Sequence, residues 1–232
     1  MHVAAVLTAA GSGLRLGFAE PKALVSLSSV PLLVHAAQRL RQADVGDLVV
    51  TTPPDHLAQV EQLLSNAGIG DVRCRPGGVT RQHSVALALE LVDPQAEFIV
   101  VHDAARALAP PVLIDRVVQA LRDGADAVIP GLPVADTIKS VAGRIVTGTP
   151  DRAALVAVQT PQGFRSELLR RAHRLGAALA TTDEAASDDA GLVERFTEAD
   201  VSVVPGMEQA RKITTAVDLA LAQTMVSSGG WA

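Results

Sequence analysis

Three segments of the chain carry side chains whose types and spacing could do chemistry on a phosphate. The first, at 7–17, reads LTAAGSGLRLG and is followed by a Pro-Lys pair that ends at Lys22. Glycines and small residues let backbone amides approach a phosphate closely, and Arg15 and Lys22 add two cations. The segment lacks both the GxGxxG spacing of a dinucleotide-binding loop and the Gly-Lys pair of a Walker A loop. It predicts a phosphate-binding loop, and the alternative is a glycine turn with two solvated cations.

The second segment, at 77–85, reads GGVTRQHSV and follows a predicted strand. Gly78 permits close approach of the backbone to a ligand, and Thr80 is a residue type that caps helices. The first amides of a helix attract anions and polar base edges. The segment predicts a binding loop at the start of a helix, and an ordinary helix cap is the alternative.

The third segment, at 100–106, reads VVHDAAR and places Asp103 at the end of an apolar run. A carboxylate at the end of a strand could bind Mg²⁺ or a ribose, because hard cations take carboxylate oxygens. A helix cap or a surface ion pair between Asp103 and Arg106 is the alternative. His102 is predicted to be structural, because its neighbours are packing residues.

Alternating apolar and amphipathic stretches predict the elements that position these segments. Apolar runs of strand length occur at 3–8, 47–52, 71–75, 97–102, 125–130 and 200–204. Runs of this kind are typical of parallel strands buried on both faces. Helical spacing occurs between them, at 31–43, 56–67, 80–91, 111–123, 165–176 and 215–226. The alternation predicts an α/β fold with a mostly parallel sheet flanked by helices.

Residues 134–158 break this alternation. Strand-like runs at 135–139, 144–146 and 155–159 are separated by turn residues, and no helix of normal length fits between them. We therefore expect a β-arm inserted into a single domain that spans 1–226. The residues that follow, 227–232, are predicted to be a loose tail.

Composition excludes several classes of protein. The chain has 232 residues with a net charge of −5, and aromatic residues make up 2% of it, which argues against a nucleic-acid partner. Cys74 is the only cysteine, so an internal disulfide and a Cys-rich zinc site are excluded. The sequence has no long uncharged apolar stretch and no basic region before its first apolar run. We expect no membrane segment and a cytoplasmic location.

In their order and spacing, the segments resemble the signatures of the 2-C-methyl-D-erythritol 4-phosphate cytidylyltransferase family. The matching stretches are AAGSGLRLG followed by PK, GG with R and SV, VHDAAR, DTIK, DR with QTPQ, and KIT, spread over 3–222. The resemblance implies a Rossmann-like nucleotidyltransferase fold in which the arm at 134–158 pairs two subunits into a homodimer. It also implies that CMP passes from CTP to 2-C-methyl-D-erythritol 4-phosphate with release of pyrophosphate, in non-mevalonate isoprenoid synthesis, with Mg²⁺ as cofactor.

The resemblance also implies the role of each site residue. Arg15 and Lys22 would stabilise the charge of the transition state and of the leaving pyrophosphate. Arg152, from the partner's arm, and Lys212 would hold the acceptor phosphate. The CTP site would be formed by Ala10, Gly11, Gly13, Gly78, Val79, Arg81 and Ser84. The acceptor site would be formed by Asp103, Arg106, Thr137, Thr160 and Ser187.

Two of these assignments have alternatives. Asp103 would face the metal, the ribose or the acceptor's hydroxyls. The family usually has Thr-Asp-Glu-Ala where Ser187 begins the stretch SDDA. The stretch that begins at Thr182 reads TDEA and matches those residue types more closely. The Thr182 register needs a longer insertion before Lys212, so the spacing favours Ser187.

Other functions remain open on the residues alone. A sister cytidylyltransferase that uses ribitol 5-phosphate or another polyol phosphate would keep the CTP half and change the acceptor pocket. A catalytically silent nucleotide-binding module is disfavoured because simple binding does not require both Arg15 and Lys22. A nicotinamide-dependent dehydrogenase is disfavoured by the failed GxGxxG spacing.

Overall fold

A mixed β-sheet between two layers of helices organises the chain in its computed structural model, which describes residues 2–11, 20–43 and 45–228. The strands are β1 Val3–Thr8, β2 Ser26–Leu27, β3 Val30–Pro31, β4 Asp47–Thr52, β5 Val72–Pro76, β6 Phe98–Asp103, β7 Ala127–Pro133, β8 Ser140–Ala142, β9 Ile145–Gly148, β10 Val156–Val158, β11 Gln162–Arg165 and β12 Val201–Pro205. The α-helices are α1 Leu32–Gln42, α2 Leu57–Asn66, α3 Arg81–Leu89, α4 Pro111–Arg122, α5 Ser166–Leu175, α6 Asp189–Phe196 and α7 Ala216–Ser227.

The order of the strands places a crevice beside β1. The main sheet runs β10-β7-β11-β6-β1-β4-β5, and β12 pairs with β7. β1 is parallel to both β4 and β6, whereas β10 and β11 are antiparallel to their neighbours. The predicted mostly parallel α/β sheet is therefore confirmed. Because the chain leaves β1 towards β4 and returns to β6 on the other side, the loops after β1 and β6 diverge, as at a ligand-binding switch point.

The strands are apolar almost throughout because helices cover both faces of the sheet. Val3, Ala5 and Leu7 of β1 pack towards α1, α2 and α4. Ala4 and Val6, which alternate with them, pack towards α3, α5 and α6. All five side chains are buried. Side chains on a strand point alternately to its two faces, so a strand covered on both sides requires a continuous apolar run.

The predicted helices are confirmed, with shifts of one or two residues at their ends. The tail predicted to begin at 227 overlaps α7 by one residue, because α7 ends at Ser227, and 229–232 lie outside the described residues. No helix in the described part of the chain is both long and apolar enough to cross a membrane.

Within the arm, the strand predicted at 135–139 is wrong. These residues are exposed and irregular, and the hairpin instead consists of β8 and β9 around a turn at Gly143, which has a φ of +60°. The pairing ends at Ser140 and Gly148. To continue it, the chain would have to pair 138–139 with Thr149 and Pro150, and proline has no N–H to donate to the ladder.

Among the described α-helices and strands of the main sheet, two elements do not follow from the sequence pattern. β11 reads QGFR, and its glutamine and glycine are atypical of strands, yet it pairs with both β6 and β7. A Cβ at Gly163 would lie 2.5 Å from Val117, so the close packing of α4 on β11 requires glycine there. The sequence pattern predicts no helix at α6, because its eight residues hold too few apolar positions to define a helical period.

Candidate active site

A cavity of about 590 Å³ opens at the carboxyl ends of β1 and β6. The loop after β1, the loop before α3, the loop after β6 and the segment before α7 form its walls. The lining residues are Thr8, Ala9, Ala10, Gly11, Lys22, Ala23, Gly78, Val79, Thr80, Arg81, Ser84, Asp103, Ala104, Ala105, Lys212 and Thr214. Its size is that of a small-molecule site, and its place is where parallel α/β sheets bind ligands.

The loop at 77–79 packs tightly against the loop that follows β1. A Cβ on Gly77 would lie 2.3 Å from the Cβ of Ala10, so no other residue fits at Gly77 without a shift. The Gly78 N–H donates to Ser84 Oγ at 3.0 Å, and the Ser84 hydroxyl donates to the Thr80 carbonyl at 2.8 Å. Ser84 therefore supports this wall of the cavity from within α3.

The start of α3 is capped as the sequence predicts. Thr80 Oγ1 accepts from the His83 N–H at 3.0 Å, and the Thr80 hydroxyl donates to the Ala180 carbonyl. The neighbouring Val79 lines the cavity and is 78% exposed. An apolar side chain thus lies open at the cavity edge, in the loop that the family resemblance assigns to the CTP site.

Asp103, the last residue of β6, is the electrostatic centre of the cavity. Its Oδ2 accepts from Lys212 Nζ at 2.7 Å, and its Oδ1 accepts from Arg81 Nε at 3.1 Å and from the Thr8 hydroxyl at 3.2 Å. Burial would raise the pKa of Asp103, but Arg81, Lys212 and Arg106 outweigh burial and hold that pKa well below its usual range. The carboxylate is therefore ionised and holds two cations on the cavity wall.

Buried hydrogen bonds fix the backbone of Asp103 and the tautomer of His102. Thr160 Oγ1 accepts from the Asp103 N–H at 3.1 Å and lies 2.9 Å from His102 Nδ1. The other ring nitrogen, Nε2, lies 3.3 Å from the Arg106 carbonyl, which can only accept, so Nε2 carries the proton. The Thr160 hydroxyl then donates to Nδ1. Burial lowers the pKa of His102 to about 4, so the ring is neutral and both its nitrogens are engaged.

This buried histidine predicts a loss of stability in mild acid. The folded pKa of about 4 lies below the ordinary value of 6.5, so the unfolded chain binds the proton more readily. The contribution of His102 to the free energy of unfolding is fully present above pH 6.5. It is lost as the pH falls towards 4, by about 3 kcal/mol in total. Chemical denaturation measured across that pH range should show a decline in the free energy of unfolding. The decline should be shallower in His102→Asn, whose amide oxygen can still accept from Thr160.

The charged side chains that face the His102 ring are Asp103, Arg81 and Arg106. Their own titration limits the pH range over which the test can be interpreted. The depressed pKa of Asp103 makes its own loss occur at lower pH, below the ordinary value for a carboxyl. A decline between pH 6.5 and 4 that is equally steep in His102→Asn would contradict the assignment to His102.

Arg106 ties together segments that flank the cavity. Its Nη1 donates to the Ala210 carbonyl at 2.8 Å, and its Nη2 donates to the Val158 carbonyl at 3.1 Å. The Ile213 N–H donates to the Ala105 carbonyl at 2.8 Å. The segment that carries Lys212 is therefore fastened to the loop after β6 from both sides.

The start of α7 holds the same segment from the other end. Thr215 and Asp218 form a capping box, and Asp218 Oδ2 also accepts from the N–H groups of Thr214 and Thr215, each at 2.9 Å. Because Lys212 is two residues before Thr214, the cap limits where the Lys212 backbone can lie.

The cavity brings together most of the residues that the sequence analysis assigned to CTP and to catalysis. Arg106 and Thr160 lie behind its wall rather than in its lining. Arg15 and Gly13 lie outside the described residues. The predicted residues that line the cavity are Ala10, Gly11, Lys22, Gly78, Val79, Arg81, Ser84, Asp103 and Lys212.

Three predicted residues lie on the surface, outside the lining of this cavity. Thr137 and Arg152 belong to the arm, where Arg152 Nη1 donates to the Ala135 carbonyl at 2.6 Å. Ser187 is exposed just before α6. Within one subunit, these three side chains do not join the cluster around Asp103.

A magnesium ion, which the family resemblance implies, would find one carboxylate in the cavity lining. Asp103 Oδ1 already accepts from two donors, whereas among the described residues Oδ2 accepts from Lys212 alone and keeps a lone pair. Among the described residues no three His, Cys, Asp or Glu side chains converge. Mg²⁺ is commonly held by one or two carboxylates together with substrate phosphates. The residues fit an ion held mainly by phosphates, with Asp103 as its protein ligand.

Asp189 is a further residue of this site, beyond those predicted from the sequence. Asp189 opens α6, is 1% exposed, and accepts from Arg81 Nη1 at 2.7 Å. Arg81 therefore lies between the carboxylates of Asp103 and Asp189. The Asp188-Asp189 pair at the start of α6 is the sequence signal that could have indicated it.

The comparisons with known sequences agree on one family. The family described as 2-C-methyl-D-erythritol 4-phosphate cytidylyltransferase matches residues 3–228. A protein of that name from Rhodococcus opacus is 50% identical over 228 residues, which cover 98% of this chain and 96% of the relative. One from Streptomyces avermitilis is 44% identical over 237 residues, with 97% and 92% covered.

Two solved structures are similar to this chain in fold. The 4-diphosphocytidyl-2C-methyl-D-erythritol synthase of Anaerococcus prevotii is 28% identical, with a TM-score of 0.84 over 97% of this chain and 98% of that one. The 2-C-methyl-D-erythritol 4-phosphate cytidylyltransferase of Thermus thermophilus is 32% identical, with a TM-score of 0.77 over 98% and 100%. The predicted Rossmann-like nucleotidyltransferase fold is confirmed.

Proposed function

Because the chain belongs to the 2-C-methyl-D-erythritol 4-phosphate cytidylyltransferase family, we propose that it transfers CMP from CTP to 2-C-methyl-D-erythritol 4-phosphate. The products are pyrophosphate and 4-diphosphocytidyl-2-C-methyl-D-erythritol, an intermediate of isoprenoid precursor synthesis. The observation that carries the proposal is the match of the family over 3–228, nearly the whole chain. The cavity, with Lys22 and Lys212 in its lining, has the charge that two phosphate-bearing substrates require.

The reaction needs positioned charge rather than a general base. A phosphate oxygen of the acceptor forms a bond to the α-phosphorus of CTP, and the bond from that phosphorus to the oxygen that bridges it to the β-phosphate breaks. The pair of electrons leaves on pyrophosphate. The acceptor phosphate is already anionic, so no proton has to be removed. His102 is unsuited to be a base, because it is buried and both its nitrogens are hydrogen-bonded.

The residues of the cavity divide between the two substrates. Backbone at Ala10 and Gly11, with the loop at 78–79, lines the CTP half, and Ser84 supports that loop. Lys22 would stabilise charge on the triphosphate, and Lys212, held by Asp103, would bind the acceptor phosphate. Arg15 is assigned to the same role as Lys22 by the family resemblance alone.

We propose Mg²⁺ as the cofactor, with Asp103 as its protein ligand. When bound, the ion would neutralise charge on the phosphates. Asp103 would keep a negative charge beside two cations, which limits the repulsion between Lys212, Arg81 and the metal.

A cytoplasmic location stays a prediction.

Release of pyrophosphate tests the function directly. Purified protein with CTP and Mg²⁺ should release pyrophosphate only when an acceptor is added, and 2-C-methyl-D-erythritol 4-phosphate should give the highest kcat/KM. Ribitol 5-phosphate serves as the rival acceptor and ATP as the rival nucleotide. A higher kcat/KM with ribitol 5-phosphate would replace the proposed acceptor, and no turnover with any acceptor would support the silent binding module.

We further propose that the arm pairs two copies of the chain. Val141, Ile145 and Val146 of the hairpin are each more than half exposed, and a two-stranded ribbon is marginally stable on its own in water. A homodimer would cover these side chains. It would also bring Arg152 and Thr137 towards the partner's cavity, the position that the family resemblance implies for them.

Mixed subunits test this arrangement. Protein with Arg152→Ala in one subunit and Lys22→Ala in the other should have one site with both defects and one with neither, so about half of the activity should return. Activity of the purified heterodimer is the measurement, and each homodimer is its own control. No recovery in confirmed heterodimers, or a monomer in sedimentation at assay concentration, would contradict the shared site.

A further inference from the structure

A series of hydrogen-bonded polar side chains connects the cavity to the helices behind it. Arg81 donates from Nε to Asp103 Oδ1 at 3.1 Å and from Nη1 to Asp189 Oδ2 at 2.7 Å. His173, on α5, places Nε2 2.9 Å from the other oxygen of Asp189. Asp189 and His173 are 1% and 5% exposed, and neither lines the cavity. Of these four side chains, only Arg81 and Asp103 line the cavity where a substrate would lie.

Asp189 is not needed to cap the helix that it begins. The N-cap of α6 is Asp188, whose Oδ1 accepts from the Gly191 N–H at 3.1 Å. Gln162 Oε1 accepts from the N–H groups of Asp189 and Ala190, each at 3.1 Å. The first amides of α6 are therefore satisfied by other residues. Both carboxylate oxygens of Asp189 are directed at side chains, and one of these is Arg81.

The geometry around Arg81 explains what a second carboxylate does there. A guanidinium that faced Asp103 alone would be free to turn and present two parallel N–H groups to it, as arginine commonly does with carboxylates. The bond to Asp189 holds the guanidinium by Nη1; Asp103 receives Nε alone, and Nη2 is buried without a hydrogen-bond partner in the described structure. Asp103 Oδ2 therefore stays available to Lys212. Burial would raise the pKa of Asp189, but Arg81 and His173 lower it, so the carboxylate is charged.

We propose that Asp189 is a positioning residue for cytidylyl transfer: it fixes Arg81, and through Arg81 it keeps Asp103 oriented towards Lys212. The inference rests on the proposed function, since it concerns the orientation of the same cavity wall. Asp189 touches no substrate in this arrangement and acts only through Arg81.

A matched pair of variants tests the role. Asp189→Asn and Asp188→Asn each remove one negative charge from the N-terminal end of α6, but only the first removes a bond to Arg81. We expect Asp189→Asn to lower kcat roughly 10- to 100-fold, the scale of a small misplacement of catalytic groups, and Asp188→Asn to stay within about threefold of the wild type. Thermal unfolding of both variants shows whether each is folded at the assay temperature.

A double-mutant cycle separates positioning from a general effect on the fold. If Asp189 acts through Arg81, Asp189→Asn should lower kcat little further in a protein that already carries Arg81→Gln. Independent losses in the double variant, or a wild-type kcat in folded Asp189→Asn, would overturn the proposal.

A measurement that does not depend on enzymatic activity tests the positioning role even if the proposed function is wrong. In ¹⁵N-labelled protein, the Arg81 Nε–H signal should exchange faster with water in Asp189→Asn and stay unchanged in Asp188→Asn. Wild-type protein that releases no pyrophosphate with any acceptor would overturn the proposed function, and the exchange experiment would still decide whether Asp189 fixes Arg81. Equal exchange in all three proteins would overturn the positioning role.

Discussion

Lys22→Ala should lower kcat for pyrophosphate release by roughly 10²–10³, the scale of losing one preorganised group that stabilises developing charge. Lys22 follows Pro21 at the start of a short 3₁₀ helix, Lys22–Leu24, whose Ala23 and Leu24 are buried. That anchoring fixes the backbone from which the ammonium group enters the cavity. Steady-state kinetics with CTP and the acceptor varied in turn is the measurement.

The outcome for KM decides what Lys22 does. A lysine that stabilises only the transition state leaves KM nearly unchanged when it is removed, whereas one that binds substrate and transition state equally raises KM alone. Arg171→Ala, which removes one positive charge from the exposed surface of α5, is the matched control and should retain the wild-type kcat. A rise confined to KM in Lys22→Ala would contradict the assigned role.

Asp103→Asn should lower the free energy of unfolding by about 3–5 kcal/mol, because it removes the charge of a buried carboxylate from Lys212 and from Arg81, which then keeps Asp189 as its counter-charge. Arg81 and Lys212 both bind this carboxylate, and Asp103 is 6% exposed. The loss should be measured by chemical denaturation near pH 7. The control is Asp126→Asn, which breaks an exposed pair with Arg165 and should cost at most about 1 kcal/mol.

The same variant also tests the proposed metal ligand. If Asp103 binds Mg²⁺ directly or through water, the concentration of Mg²⁺ that gives half of the maximal activity should rise in Asp103→Asn. Lower activity with an unchanged Mg²⁺ titration would remove Asp103 from the metal and leave it as the residue that orients Lys212. A free energy of unfolding equal to the wild type would show that the contacts with Arg81 and Lys212 contribute little to the fold.

Local patterns were sufficient for the main elements of the fold. The continuous apolar runs of β1, β4 and β6 predicted strands covered on both faces, and burial of every residue of β4 and β6 agrees with that. Thr80 predicted the start of α3 because a threonine hydroxyl can accept from the third amide of a helix, and it does so. These predictions needed only residues that are neighbours in the chain.

Local patterns failed where an element depends on a distant partner. β11 is a strand because β6 and β7 lie on either side of it, although its own residues indicate no strand. The stretch at 135–139 has strand-like residues but no partner in the described chain, so it stays irregular. Pairing, rather than propensity, decided both cases.

The sequence by itself determined the chemistry of the site, because residue types and their order identify the phosphate-binding loop, the carboxylate at the end of β6 and the family to which they belong. Only the tertiary structure decided which charges meet. Arg81 and Asp189 are separated by 108 residues, yet they form one buried pair in the folded chain. Such a contact depends on how the helices pack against the sheet. For the same reason only the folded chain shows that Thr160, which the family resemblance assigns to the acceptor site, accepts a hydrogen bond from the backbone N–H of Asp103.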